Sequence, residues 1–326
     1  MFSASSGADL LGLDPATWKP QSLHAGDRIW LETNCYIDVW TELLPALGHP
    51  AEAALGFTVR QDFEGDQFTF FKFAPEDLQA LFGLAVQELA IYDSLEAHTL
   101  EQLRRGRPVL IEVDSHWLPD AGPAYRRQHV KSTLAAVALD PAARRLGYFH
   151  NTGYHELANE DYDGLFPPTA IPGALFPYVE FVKRLGSALN GEALVAASLD
   201  LLRQHLKHRP VANPIAAWRA ALPQHLDTLA ARDIDYFHLY AFNLPRQLGA
   251  NFEMLGSYLQ WLGTKGQGGL GEAAGAARRI AEAAKTVQFQ LARMVHRRKF
   301  DLVSVQLEPV EADYDFVLST LAQRLS

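Results

Sequence analysis

The chain has 326 residues, 48% of them hydrophobic and 21% charged, and its formal net charge is −9. This length allows one large domain or two modest ones, each with an ample core. The negative charge argues against a general nucleic-acid binder. A single cysteine excludes an internal disulfide, the first residues lack a signal-peptide pattern, and no apolar run could span a bilayer. We therefore expect a cytoplasmic protein without membrane contact.

The first half of the chain predicts helices followed by a sheet. After an irregular lead-in, a helix should begin at Cys35 and end near Gly48 and Pro50, because glycine and proline stop helices. Short extended segments and two more helices should follow, the segments at 57–59 and 67–73 and the helices from Pro75 and over 95–105. Three β-branched and aromatic runs then predict strands, at 108–114, 130–139 and 145–150. The last two should form a hairpin.

The texture of the sequence changes near residue 170. Several prolines mark a linker: Pro167, Pro168, Pro172 and Pro177. Beyond them the patterns predict helices at about 192–205, from Pro214, and over 233–262, 271–299 and 311–325. We therefore predict an α+β region over residues 1–170 and an all-helical region over residues 171–326.

Cys35 is the only cysteine, and it lies where the first helix should begin. Apolar residues follow it at helical spacing, and Thr33 or Asn34 can cap the first turn. A thiol at a helix N-terminus feels the positive end of the helix dipole, which favours the thiolate. The unpaired N–H groups of that turn can stabilise an oxyanion. A lone cysteine is more often a core residue, so the nucleophile prediction depends on a base elsewhere.

A thiol nucleophile needs a base, and the base needs a third group to orient it. His129 leads into the strand at 130–139, and Asn151 follows the returning strand. Because antiparallel strands bring such ends together, we predict that His129 and Asn151 are neighbours. The order Cys35, His129, Asn151 is that of papain-type enzymes.

His116 is the main alternative to His129. Glu112, Asp114 and His116 share one face of a strand and could bind a metal. This run is a weak signal, however, and a polar face near the active cleft is the favoured interpretation, so we expect no metal. His150 should face away from Asn151, which makes it a poorer orienting residue.

Several motifs resemble the N-terminal domain of the butirosin-biosynthesis acyltransferase, over roughly residues 30–165. They are Asn34-Cys35-Tyr36, the run from Gly106 to Asp114, Trp117-Leu118-Pro119, Tyr125, His129 and the hairpin. Over its whole length the chain resembles still more a family of uncharacterised bacterial proteins. The genes of that family tend to lie beside amino acid:carrier-protein ligases.

The resemblance implies a papain-like fold and an acyl group carried as a cysteine thioester. The implied donor is the phosphopantetheine arm of an acyl or aminoacyl carrier protein, and the acceptor is a small-molecule or protein amine. No cofactor bound by the enzyme itself is implied. The nucleophile role carries to Cys35 and the base role to His129. The third residue is usually Asp in the butirosin relative, whereas Asn151 stands here, and Asp114 is an alternative source of the carboxylate.

Other candidate residues would bind substrate or the carrier protein. Asn34 and Asp114 flank the predicted site, and a helical region folded over the cleft would exclude water from the thioester. That region offers Arg246, Lys285 and Gln288, of which the last two share a helix face. Solvated helix residues are an equally weighted interpretation. Beside His129, the pair Arg126 and Arg127 could meet an acidic carrier protein.

These observations favour a cysteine-dependent aminoacyl transferase that moves the acyl group from a carrier protein through Cys35 to an amine. One alternative is a thioesterase or amide hydrolase that uses Cys35, His129 and Asn151. A second alternative is a non-catalytic carrier-protein-binding protein. The acyl group, the acceptor and the oligomeric state do not follow from the sequence.

Overall fold

The computed structural model describes residues 7–167 and 175–325. It divides into two compact units. The sheet unit comprises Met1–Gly26, Asn34–Ala51 and Pro75–Leu189, and the helical unit comprises Asp27–Thr33, Glu52–Ala74 and Asn190–Ser326. The boundary expected at residue 170 lies outside the described residues, but the strand at Val179–Arg184 belongs to the sheet unit.

An antiparallel sheet of seven strands forms the centre of the sheet unit. Its strands are β1 (Ala8–Asp9), β2 (Leu84–Glu88), β3 (Val109–Asp114), β4 (Lys131–Asp140), β5 (Arg145–His150), β6 (Gly153–Ala158) and β7 (Val179–Arg184). The order is β2-β7-β3-β4-β5-β6, and β1 pairs with β4. The predictions of β3, β4 and the β4–β5 hairpin are confirmed. The expected α+β class is also confirmed, since helices accompany this sheet.

Among the described residues of the sheet unit, four α-helices accompany the sheet: α1 (Cys35–Ala46), α2 (Pro75–Phe82), α3 (Leu95–Arg104) and α4 (Glu160–Leu165). α1 packs on β4 and β5, and the side chains of Ile37, Trp40 and Leu43 are fully buried. A second apolar cluster includes Leu134 of β4 and Tyr148 of β5. Because side chains alternate across a strand, both faces of β4 are covered, and the strand reads as a continuous apolar run.

The helical unit contains six helices among its described residues. They are α5 (Gly191–Lys207), α6 (Pro214–Ala231), α7 (Ile234–Ala241), α8 (Gln247–Thr264), α9 (Gly271–Arg297) and α10 (Glu308–Leu325). The single helix expected over 233–262 is interrupted by a π-helical turn at Phe242–Arg246. Pro245 lies in this turn, and a proline cannot donate the regular helical hydrogen bond. In the described part of the chain, no helix combines the length and apolar character needed to cross a membrane.

The prediction of an extended segment at 57–59 is wrong. The predicted segment at 67–73 takes part only in an isolated β-bridge. Residues 57–59 lie in a 3₁₀ helix, Ala51–Arg60. The segment at 67–73 is irregular apart from the bridge between Phe63 and Phe68. Phe68 and Phe73 are nevertheless buried. Their packing satisfies the apolar pattern without a sheet, which shows how burial overrides local β-propensity.

A buried histidine ties the N-terminal segment to α1. His24 Nδ1 lies 2.7 Å from Glu42 Oε1, and His24 Nε2 lies 3.2 Å from Asp38 Oδ1. Burial by itself lowers the pKa of His24, but hydrogen bonds and charge from Asp38 and Glu42 outweigh it and raise the pKa to about 9. The single charge of the imidazolium therefore offsets part of the negative charge of two carboxylates that α1 buries.

This ion cluster predicts that the protein loses stability in alkali. The pKa of His24 in the folded protein lies above the unfolded value of 6.5, so its contribution is complete below pH 6.5 and disappears as pH rises through 9. At about 1.36 kcal/mol per pH unit, the loss is roughly 3 kcal/mol. Urea unfolding of the wild type and of His24→Gln should show a large stability gap at pH 6 that shrinks by pH 10. A gap that stays constant over this range would contradict the assignment.

Candidate active site

Cys35 is the first residue of α1, as the sequence predicted, and Asn34 is its cap. The Asn34 side-chain oxygen accepts a hydrogen bond of 3.1 Å from the backbone N–H of Ile37. Asn34 is buried, so this candidate substrate contact also has a structural role. The cap fixes the direction in which the helix N-terminus presents the Cys35 thiol.

The thiol of Cys35 lies against the sheet. Its sulfur is 3.4 Å from the hydroxyl of Thr133 on β4, and the residue is half-buried. Thr133 is the cross-strand partner of Glu112 on β3, and Asp114 is the partner of Lys131. Direct partners share a face of a sheet, as do residues two apart along a strand. The thiol therefore lies over the face that carries the side chains of Glu112, Asp114 and Lys131.

His129 pairs with a carboxylate at the end of β3. Its Nδ1 lies 2.5 Å from Asp114 Oδ2, and the backbone N–H of His116 donates to Asp114 Oδ1 over 3.0 Å. Burial acts to raise the pKa of Asp114, but the hydrogen bonds from His129 and His116 outweigh it and lower the pKa below its usual value. Asp114 is thus a carboxylate at neutral pH, and it holds the proton of His129 on Nδ1. Nε2 is then the ring nitrogen that can accept a proton.

The two imidazole rings of this cluster stack on each other. His116 and His129 have ring centroids 4.4 Å apart and planes that differ by 3°. The His129 side chain is 73% exposed, so the stack and the Asp114 hydrogen bond restrict its orientation while leaving it open to solvent. His116, the rival base in the sequence, therefore supports the ring of His129.

Asn151 lies in the turn that follows β5, with φ of 47°, beyond the last β4–β5 pair of Ala135 and Phe149. Among the described residues, the side chain that bonds to His129 Nδ1 is that of Asp114 and not that of Asn151. The carboxylate alternative, Asp114, is the residue that contacts His129.

Cys35 and His129 do not form a hydrogen bond with each other within the described residues. The sulfur contacts Thr133, and His129 Nδ1 contacts Asp114. The backbone N–H of Cys35 likewise donates to no acceptor among the residues that the structure describes. Catalytic hydrogen bonds are often long before substrate binds and shorten in the complex. The thiol, the imidazole and the carboxylate nevertheless belong to one face and one end of the sheet.

The opposite face of the same strands carries a polar cluster that the sequence analysis missed. Ser132 Oγ lies 2.7 Å from His150 Nε2. His150 Nδ1 bonds to Asp120, which also accepts the hydroxyl of Tyr148 over 2.5 Å. Burial acts to raise the pKa of Asp120, but His150 outweighs it and lowers the pKa.

The hydrogen-bonded order of serine, histidine and aspartate resembles a hydrolase triad, but here the accessible residue is the aspartate and not the serine. Ser132 and His150 are buried, whereas Asp120 lines a cavity. A serine nucleophile would have to be the accessible member. The cluster instead attaches the connection between β3 and β4 to β5. Alternation along β5 could have revealed it, since Tyr148 and His150 share one face.

The metal alternative built on Glu112, Asp114 and His116 has competing contacts. Glu112 pairs with Lys131 over 2.7 Å, and Asp114 pairs with His129. Within residues 7–167 and 175–325, no group of three or more His, Cys, Asp or Glu side chains could hold a metal ion.

Two of the three candidate residues of the helical unit, Arg246 and Lys285, contact other parts of that unit. Arg246 Nε donates to the Thr33 carbonyl over 2.8 Å. Lys285 Nζ lies 4.0 Å from the centroid of the Trp30 ring; burial, and then the charge of Arg246, lower the pKa of Lys285. The buried Oε1 of Gln288 has no hydrogen-bond partner among the described residues. Arg246 and Lys285 thus help to fix the segment that precedes Asn34.

The two arginines beside His129, Arg126 and Arg127, differ in their contacts. Arg126 bonds to Glu160 and Asp161 and is thereby held to α4. Arg127 is exposed, and its side chain makes no ion pair within the described part of the chain. Arg127 is therefore the member of the pair that faces solvent with its charge uncompensated.

Comparison with known proteins identifies the family. A search of curated proteins gave no match. The DUF1839 N-terminal domain model matches residues 19–184, and the DUF1839 C-terminal domain model matches residues 191–323. These two matches follow the change from sheet to helices along the chain. The chain therefore belongs to the DUF1839 family.

Proposed function

We propose that this protein is a papain-like cysteine acyltransferase that takes an aminoacyl group from a carrier-protein thioester. The observation that carries the proposal is the Asp114–His129 pair at the end of β3, on the sheet face over which α1 presents Cys35. A nucleophile on a helix N-terminus and an oriented imidazole are the parts that thiol catalysis requires.

In the first step, the Cys35 thiolate attacks the carbonyl carbon of the carrier-protein thioester. The bond from that carbon to the pantetheine sulfur breaks, and the departing thiolate takes a proton from the His129 imidazolium. Asp114 stabilises the imidazolium, since it is a carboxylate in contact with Nδ1. Substrate binding must bring His129 Nε2 and the sulfur together, and the exposure of His129 leaves its side chain room for that movement.

The developing oxyanion is placed at the N-terminus of α1 in this proposal. The backbone N–H of Cys35 belongs to the first turn, where N–H groups have no acceptor within the helix. The helix dipole adds a partial positive charge at the same point. Donors held in place before the reaction stabilise such charge at little reorganisation cost.

In the second step, a neutral amine attacks the Cys35 thioester, His129 accepts the proton of that amine, and the thiolate leaves. The product is an amide, and the enzyme returns to its starting state. Arg127 and Val130 support docking of an acidic carrier beside His129, because Arg127 is exposed and the Val130 side chain is 47% exposed. Both residues lie within two positions of the base.

One prediction concerns the acyl-enzyme that Cys35 should form. Incubation with an aminoacylated carrier protein should add the mass of the aminoacyl group to Cys35, the only thiol in the chain. Cys35→Ala should form no adduct and transfer nothing to an added amine, because no thioester can form. Full activity of Cys35→Ala would end the proposal. Release of free amino acid at the same rate with and without amine would identify a hydrolase instead.

Another prediction tests whether Asp114 or Asn151 orients the ring of His129. Asp114→Asn should lower kcat by about 10²- to 10⁴-fold, because an amide can stabilise the wrong tautomer of His129 and cannot stabilise its imidazolium. Asn151→Ala is the matched control and should change kcat less than about threefold, since His129 bonds to Asp114 and not to Asn151 among the described residues. Steady-state rates and circular dichroism of both variants test this. The reverse order of effects would return the role to Asn151.

A further inference from the structure

A cavity of about 680 Å³ opens beside β6, the edge strand of the sheet. Its walls come from the N-terminal segment, from the connection between β3 and β4, and from strands β5 and β6. Three prolines stiffen the walls: Pro15, Pro20 and Pro119. All of these elements belong to the sheet unit.

The polar lining of the cavity is predominantly acidic. Asp14, Asp120 and Glu156 contribute carboxylates, whereas Arg145 is the lining residue with a permanent positive charge. Arg145 is already paired with Glu156 on the neighbouring strand. His155 adds no charge at neutral pH, because burial lowers its pKa and outweighs the opposing effect of Asp120. Asp14 makes no ion pair among the described residues, whereas Asp120 bonds to His150 and Tyr148 within its own cluster.

Asp120 remains ionised because three side chains approach its carboxylate. Tyr148 donates its hydroxyl over 2.5 Å, His150 bonds to the other carboxylate oxygen, and His155 Nε2 lies 3.5 Å away. Hydrogen bonds to the charged form of a carboxylate stabilise that form. The cavity wall thus holds a fixed negative charge.

Aromatic rings complete the lining. Trp18 packs edge-on against Phe149 and Tyr154, with centroids 5.2 and 6.4 Å apart. Trp18 Nε1 donates to Glu42 of α1 over 3.0 Å, which fixes the indole in place. The faces of aromatic rings attract cations, and carboxylates add to that attraction. A rigid, acidic and aromatic cavity is suited to an organic ammonium ion.

We propose that this cavity binds an organic ammonium group of the acyl acceptor; the assignment to the acceptor rests on the proposed acyl transfer, whereas the binding itself does not. Glu42, which holds Trp18, lies seven residues after Cys35, or about 10 Å along α1. An ammonium ion has no lone pair, so the group in the cavity is not the one acylated. The acceptor therefore carries at least two basic nitrogens, and the second, neutral amine attacks the thioester.

The test compares two ligands that differ in charge alone. Isothermal titration of the full chain at pH 7 and low salt should show binding of hexamethylenediamine and no binding of hexanediol. Added sodium chloride should weaken the binding of the diamine, because salt screens the attraction between charges. Binding of the diol as tight as that of the diamine, or no binding of the diamine, overturns the proposal.

A matched pair of variants locates the site. Asp14→Asn keeps the side-chain oxygen that accepts the Ala16 N–H but removes a charge, and it should weaken diamine binding by about three- to tenfold. Asp93→Asn removes an exposed carboxylate outside the lining and should leave the affinity unchanged. Equal effects of the two variants would show that the affinity for the diamine depends only on the net charge of the protein, which contradicts a cavity site.

A third variant separates this site from the proposed catalysis. Cys35→Ala should bind the diamine as the wild type does, because the cavity lining does not include the thiol. Intact binding without any acylation of the diamine would support the cavity and contradict the acyl transfer. Acylation of the diamine with the same KM in Asp14→Asn and the wild type would support the transfer and contradict the cavity assignment.

Discussion

The antiparallel register of β3 and β4 is the constraint on which the candidate site depends. It sets Asp114 opposite Lys131 and Glu112 opposite Thr133. The first pairing brings the carboxylate of Asp114 within reach of His129, and the second sets Thr133 beneath the sulfur of Cys35. A shift by one residue would turn these side chains to the opposite face. The apolar residues that alternate with them, such as Leu134 and Ile111, hold this register because they are buried.

Two buried polar clusters fix the elements that present the candidate catalytic groups. His24 joins the N-terminal segment to α1 through Asp38 and Glu42, and α1 presents Cys35. On the other face of the sheet, His150 attaches Asp120 to β5, and Asp120 lies in the connection between Asp114 and His129. Such clusters specify one arrangement only when every member is satisfied. The same contacts shape the cavity beside β6, so the proposed base and the proposed ammonium site share one support.

The local features of the fold could be predicted from sequence, and the long-range pairings could not. The cap before Cys35 and the hairpin of β4 and β5 depend on residues close together in the chain, and both predictions are confirmed. The contact of Asp114 with His129 depends on the pairing of β3 with β4, and the residues of one strand do not reveal its register with another. β7 enters the sheet between β2 and β3, a pairing that joins segments far apart in the chain.

The same limit applies to the candidate site. The order of Cys35 and His129 along the chain predicted a nucleophile and a base, and both residues lie at one end of the sheet. The choice between Asp114 and Asn151 required the register. Asp120 lies in a loop rich in proline and glycine, where periodicity carries no information, so its contact with Tyr148 and His150 and its place in the cavity could not be found before the fold was known.

The central claim is that His129, oriented by Asp114, activates the thiol of Cys35. Because the chain has one cysteine, its alkylation by iodoacetamide measures this activation directly. At pH 7 the wild type should react at least about tenfold faster than His129→Ala, because the variant lacks the group that accepts the thiol proton. Equal rates for the two proteins would contradict the account.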